Sequence, residues 1–262
     1  MYLVSVLFAL AVPAVVSSAV VPKDVPDPGT SMILGGVRAG QGEIPFAVTI
    51  ELDGTAGHQC DGILLNRDTV LSTGKCFNNR QPGEFFVRAG TTNRVLGGAI
   101  SRISSIIIHP DFYASRSVLD FDVAILKLSR PILTSSTIQY ANLPPSGSDP
   151  ATRTWVTVAG WGATQVNSND ASFYLMKTWL SVVGRGTCTR DYRGAAIITD
   201  RMFCLTSRGK DTLAGDQGGP VFDSKTVVGM PSWGTRAGDA RRPGIYVRIG
   251  HPVIMSFIQA NL

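Results

Sequence analysis

From Pro45 to Gly250 the chain keeps returning to one local pattern: a short run of Val, Ile and aromatic residues, closed by Gly, Asn, Asp or Pro. PFAVTIEL (45–52), TVLST (69–73), FFVRAG (85–90), DVAILKL (122–128), WVTVAGWG (155–162), MKTWLSVV (176–183), TVVGMPSWG (226–234) and GIYVRIG (244–250) all read this way. Branched and aromatic side chains suit a pleated, half-buried surface, and the punctuating residues make turns. So many short strands must pair with one another, which predicts an all-β barrel or sandwich. The tail HPVIMSFIQANL (251–262) departs from the pattern. Pro252 can occupy a first helical position, and Val253, Ile254, Phe257 and Ile258 recur on one helical face, so a C-terminal helix packed on the strands is expected. With 262 residues, 44% hydrophobic and 16% charged, the chain can bury a core as one large domain or two fused halves.

The first residues carry no charge before Lys23, and VSSA offers small residues ending near Ser18 or Ala19. This is the pattern of a secretory signal over 1–19, with an uncleaved anchor as the alternative. Residues 20–32, VVPKDVPDPGTSM, form a Pro-rich pro-segment, and a domain runs over 33–262. Secretion into an extracellular, oxidising setting makes Cys60, Cys76, Cys188 and Cys204 disulfide candidates. Four cysteines allow three pairings, of which the sequence-local one is the simplest. The net charge of +5 is scattered, without the stripe and interleaved aromatics of a nucleic-acid groove. It reads as a solvated surface, with attraction to acidic partners or anionic wall polymers at low salt as the alternative.

Several further segments occur in a fixed order: ILGG (33–36), CDGILLNRDTVLSTGKC (60–76), DFDVAILKL (120–128), VAGWGAT (158–164), MFCLTS (202–207), GDQGGP (215–220), SWGT (232–235) and PGIYVRI (243–249). On these, the chain from Ile33 to Leu262 resembles the trypsin-like serine proteases of the S1 type and chymotrypsin fold, most closely secreted fungal members. The resemblance implies two six-stranded antiparallel barrels, roughly 33–140 and 141–250, with a site in the cleft between them. No metal or cofactor is implied.

Acyl transfer by this template needs a hydroxyl nucleophile, an imidazole base, a carboxylate that orients it and backbone N–H donors for the oxyanion. The resemblance places Lys75 at the histidine position, Asp122 at the aspartate and Gln217 at the nucleophile. A glutamine amide is no nucleophile, and a protonated lysine cannot accept a proton. Losing the nucleophile or the histidine costs on the order of 10⁶ in rate, about 8 kcal/mol of transition-state stabilisation. His58 matches a structural histidine, while His109 and His251 precede prolines, so none replaces the base. The expected role of Lys75 is an ion pair with Asp122. A serine–lysine dyad would need a serine at 217.

Other positions keep the family frame. Gly215 matches an oxyanion-hole glycine, Asp211 the specificity-pocket aspartate, and Thr212, Ser232, Trp233, Gly234 and Gly244 the pocket walls, with Thr235 beyond them. Such a slot would take an Arg or Lys side chain. A family disulfide joining the position of Leu213 to the loop 236–238 is absent, and Pro231 stands where a strand donor is usual. Maturation would cut between Met32 and Ile33 and bury the new amine against Asp216. If the bond stays intact, Asp216 lacks that cation and the pocket is zymogen-like. Three classes of function follow. One is an inactive homologue that binds proteins or peptides, such as protease inhibitors or host secreted enzymes. A second is a peptidase with rewired chemistry, and a third a wall-associated protein reusing the fold. After signal removal no membrane association is expected, and the oligomeric state is open.

Overall fold

The computed structural model describes residues 33–55, 57–166, 168–234 and 242–262. The expected signal (1–19), the pro-segment (20–32) and Thr235 with the loop 236–238 lie outside the described residues.

Fifteen strands are described. They are β1 (Val37–Arg38), β2 (Ala47–Leu52), β3 (His58–Asn66), β4 (Thr69–Ser72), β5 (Phe85–Ala89), β6 (Ala99–Ile108), β7 (Tyr113–Ala114), β8 (Leu119–Asp120), β9 (Ala124–Leu128), β10 (Trp155–Gly160), β11 (Met176–Val183), β12 (Met202–Thr206), β13 (Val221–Asp223), β14 (Thr226–Trp233) and β15 (Gly244–Arg248). One barrel closes in the order β2-β3-β4-β9-β6-β5. The other runs β11-β10-β13-β14-β15-β12 and returns through a β11–β12 pairing. Among the described residues closure pairs every barrel strand with two neighbours, and β1 hangs on β11 as an added edge strand. The expected two-barrel, all-β fold is present. Helix α1 (Arg185–Asp191) leads into the second barrel's last strands, and α2 (Pro252–Ala260) is the expected C-terminal helix. Ile254, Met255 and Ile258 of α2 are buried.

The period of two decides what fills each barrel. In β10 and β11, Val156, Val158, Leu180 and Val182 point inward and join Phe203, Leu205, Val221 and Tyr246. The alternate residues face out, and toward the first barrel they become a shared core with Phe46, Ile63, Leu71, Trp161 and Phe222. There the Phe46 and Phe222 rings meet edge to face at 5.4 Å. The disulfides are the sequence-local ones, Cys60–Cys76 and Cys188–Cys204.

Two points differ from the sequence reading. The first barrel's strands occupy only 47–128, because β1 crosses to the second barrel, where Val37 pairs with Lys177 and Arg38 with Met176. No local pattern tells a two-residue strand which partner it will find. Helix α1 was not expected either; its seven residues RGTCTRD bury only Cys188 and so carry no helical stripe. Pro231 sits where the β14–β15 register shifts, between Pro231 and Trp233, so the ladder accommodates its missing donor. Because the Phe222 ring fills the seam between the barrels, Phe222→Ala should lower unfolding free energy by about 3–5 kcal/mol, read from urea unfolding. A loss below about 1 kcal/mol would show that the seam contributes little.

Candidate functional site

The three positions of the expected catalytic unit lie on different elements, of which those of Lys75 and Asp122 are joined directly. Lys75 lies in the 3₁₀ turn Gly74–Cys76 after β4. Asp122 lies between β8 and β9, Ser232 in β14, and Gln217 in the loop before β13. Asp122 is 2% exposed. Its Oδ1 accepts the Lys75 backbone N–H at 2.7 Å, and its Oδ2 accepts the Ser232 hydroxyl at 2.5 Å. The neighbouring residues hold it in place. Asp120 takes a forked pair of bonds from Arg201, and Phe121, with a φ of 49°, is sandwiched by the His109 ring at 4.6 Å and the Arg201 guanidinium at 4.5 Å.

The Lys75 ammonium does not form the expected ion pair with Asp122. It donates instead to the Ser232 carbonyl, because the turn aims the backbone N–H, and not the side chain, at the carboxylate. Asp122 acts on that ammonium only through its field. Burial pushes the Lys75 amine below its ordinary value, with the charge of Asp122 opposing. Burial likewise raises the Asp122 carboxyl, against the pull of Lys75 and Ser232.

Gln217 folds back on its own loop. Its Oε1 accepts the Gly215 N–H at 3.0 Å, and its Nε2 donates to the Leu213 carbonyl at 3.2 Å. The donor expected to hold an oxyanion is therefore already engaged by a neutral carbonyl. Gly215 has a φ of 95°, and a Cβ there would approach the Gly162 Cα to 2.9 Å, so only glycine fits.

Around the expected pocket, Asp211 is buried and its Oδ1 accepts the Thr212 N–H at 2.8 Å. Gly244 passes close by, where a Cβ would meet Asp211 Oδ1 at 3.1 Å. The Thr212 hydroxyl meets that of Tyr246 at 3.1 Å. A Cβ on Gly234 would reach the Gly244 Cα at 3.8 Å, so these two wall glycines face each other. Trp233 packs on Tyr192 with ring centroids 5.8 Å apart. Ser232 is spent on Asp122 and Lys75. Among the described residues no group of three or more His, Cys, Asp or Glu side chains is placed to hold a metal ion.

Sequence reasoning missed a buried acidic network beside this loop. Asp216 is fully buried, with Oδ1 accepting the Gly162 N–H and Oδ2 the Leu213 N–H. Ile33 is also fully buried, and Leu34 pairs with Asp211, but the recorded bonds of Asp216 go to those two amides. Beside it stands Asp61 of β3, equally buried. Its Oδ2 accepts the Trp161 N–H, and its Oδ1 has no hydrogen-bond partner. The two carboxyls flank Gly160, where a Cβ would meet each at 2.4 Å. His58 lies 3.6 Å from Asp61 and 3.8 Å from Glu51. Its Nε2 reaches the Gly215 carbonyl and its Nδ1 the Thr49 hydroxyl, each at 3.0 Å. Thr49 donates its own proton to Glu51, so both ring nitrogens face acceptors, an arrangement that favours the protonated imidazole. Arg94 completes the network at 3.2 Å from Glu51. Burial pushes Asp216 up to about 7, and burial with the neighbouring Asp216 pushes Asp61 well above the usual carboxylate range. Burial pulls His58 down, but Glu51, Asp61 and the Gly215 carbonyl outweigh it and its net direction is up. The one sequence signal was an aspartate amid the buried residues of HQCDGILLN.

Comparison with known proteins covers the whole domain. Residues 33–254 match the family model described as Trypsin. The chain is 32% identical over 225 residues to "Trypsin iota" of Drosophila melanogaster, spanning 84% of this chain and 85% of that one. It is 31% identical to "Trypsin Blo t 3" of Blomia tropicalis, over 84% and 82% of the two chains. With "Hypodermin-A" of Hypoderma lineatum it shares 30% identity over 95% of this chain and 94% of the other. None of the three source organisms is a fungus, so they lend no support to a special closeness to fungal members.

The buried acids set a pH dependence with a definite sign. Asp216 and Asp61 bind protons more tightly folded than unfolded, so their contribution is complete below about pH 4 and is lost as pH rises through about 7 and beyond. His58, also raised, adds loss in the same direction above about pH 6.5. The urea midpoint should fall from pH 5 to pH 8. Asp61→Asn, which keeps an acceptor for Trp161, should flatten that fall and unfold at higher urea than the unaltered protein at pH 8. Parallel pH profiles for the two proteins would refute the shared cause.

Proposed function

The chain belongs to the trypsin family, and from that premise we propose that it is a secreted, catalytically inactive member that works by binding proteins or peptides. One observation carries this reading. The Gln217 amide occupies the Gly215 N–H, so the residue that removes the nucleophile also fills the position where charge would develop. An oxyanion would have to displace it, and no hydroxyl stands at 217 to generate one.

Lys75 supports the same reading. Its ammonium is bound to the Ser232 carbonyl, and the Ser232 hydroxyl already donates to Asp122. Lowered basicity alone does not make Lys75 a general base without a nucleophile in reach. Asp211, buried next to Gly244, is the carboxyl this reading assigns to a guanidinium or ammonium. The partner class is therefore a protein or peptide offering a basic side chain, such as a protease inhibitor or a host secreted enzyme.

The test uses chain cut between Met32 and Ile33. The unaltered protein should hydrolyse Arg and Lys ester substrates no faster than about 10⁻⁶ of an active member's rate. It should bind benzamidine and basic-loop protease inhibitors, with binding lost on Asp211→Ala. Lys75→His with Gln217→Ser should restore measurable hydrolysis after Arg or Lys. Steady turnover by the unaltered protein that disappears in Lys75→Ala would instead establish rewired chemistry.

A further inference from the structure

The outer face of the second barrel carries an assembly that the cleft does not use. Across β10 and β11, Trp155 pairs with Ser181 and Thr157 with Trp179. Their inward neighbours fill the barrel, so these four point outward, and the two indoles are diagonal neighbours on one face. Trp155 is 59% exposed and Trp179 42%. The chain has four tryptophans. Trp161 is buried and donates to the Thr92 carbonyl, and Trp233 packs on Tyr192. The other two are partly exposed on the same face, the arrangement that marks an interaction surface.

Cations collect on the same face. The Lys177 and Lys210 ammonium groups each lie 5.6 Å from the Trp179 ring centroid. Lys177 is paired with Glu43. Among the described residues Lys210 has no ion-pair partner, and it ends a tight turn that begins at Ser207 and carries the exposed Arg208. Exposed Arg153 precedes Trp155. Each indole faces a hydroxyl across the ladder, Ser181 or Thr157, and neither hydroxyl has a recorded partner among the described residues.

We propose that this face binds an anionic polysaccharide. The flat indoles offer stacking platforms for the apolar faces of sugar rings. Ser181 and Thr157 sit where ring hydroxyls would fall, and Lys210 with Arg208 supplies charge for a uronate or sulfate. Hydroxyls interleaved with the indoles suit a ligand that alternates apolar faces and hydroxyl edges better than an acyl-chain surface. A nucleic-acid strand would need cations spaced along a backbone track, whereas here two of them converge on one ring.

The test is titration of the full chain, followed by tryptophan fluorescence, with oligogalacturonate, chondroitin sulfate and neutral dextran. Either acidic polymer should quench the fluorescence saturably, and dextran should not. Trp179→Ala should weaken binding by about tenfold, and Trp179→Tyr should restore most of it. Lys210→Gln should weaken it a few-fold and reduce its salt dependence. Thermal midpoints close to that of the unaltered protein would show that the variants are folded. The proposal is overturned if neither acidic polymer binds, if Trp155→Ala and Trp179→Ala bind like the unaltered chain, or if dextran binds equally well. It is overturned equally if a single-stranded oligonucleotide or anionic vesicles compete more tightly than both polymers.

Discussion

Buried carboxylates accepting backbone N–H bonds hold the seam between the barrels together. Asp122 fixes the turn that carries Lys75 and the strand that carries Ser232. Asp216 ties Leu213 to Gly162, and Asp61 takes the neighbouring Trp161 amide. Except for the local Leu213–Asp216 bond, these bonds cross between segments far apart in sequence, and buried bonds of this kind set loop positions firmly. Gln217 adopts its particular geometry because the loop around it is already held at both ends.

The same burial makes the seam conditional. A buried carboxyl keeps its charge only where donors or cations compensate it. Asp122 has donors on both oxygens, whereas Asp61 Oδ1 has no hydrogen bond, with the His58 ring at 3.6 Å beside it. Burial of Asp61 and Asp216 favours their protonated forms, and His58, between Asp61 and Glu51, is shifted toward its charged form. The family's scaffold is thus kept, with Gln217 bonded to Gly215 and Leu213 and the Lys75 ammonium to the Ser232 carbonyl. That arrangement is compatible with a folded cleft that binds, and it leaves the chain's outer faces free to acquire other contacts.

How much was legible beforehand differs residue by residue. The alternating runs in β10, β11 and β15 announced strands, and the tail announced α2, because burial on one face writes a period into the sequence. Lys75, Asp122 and Gln217 were legible as positions by resemblance, and the structure joins those of Lys75 and Asp122 directly. The destination of the Lys75 ammonium was not legible, since a carboxylate and a carbonyl compete for it and turn geometry chooses. Asp61 was overlooked because a lone aspartate in a strand carries no local signal of what lies across the sheet.

The sequence by itself determined strand content, the C-terminal helix, the family resemblance and the identities of Lys75 and Gln217, since these reside in residue identity and local period. Only the tertiary structure decided that β1 joins the second barrel, that Gln217 caps the Gly215 N–H, that Asp61 and Asp216 are buried side by side, and that Trp155 and Trp179 share one face. Apart from the local Gln217 cap, those facts depend on distances between residues separated by tens to more than a hundred positions. Such distances are fixed only when the closed barrels bring together segments that have no covalent reason to meet.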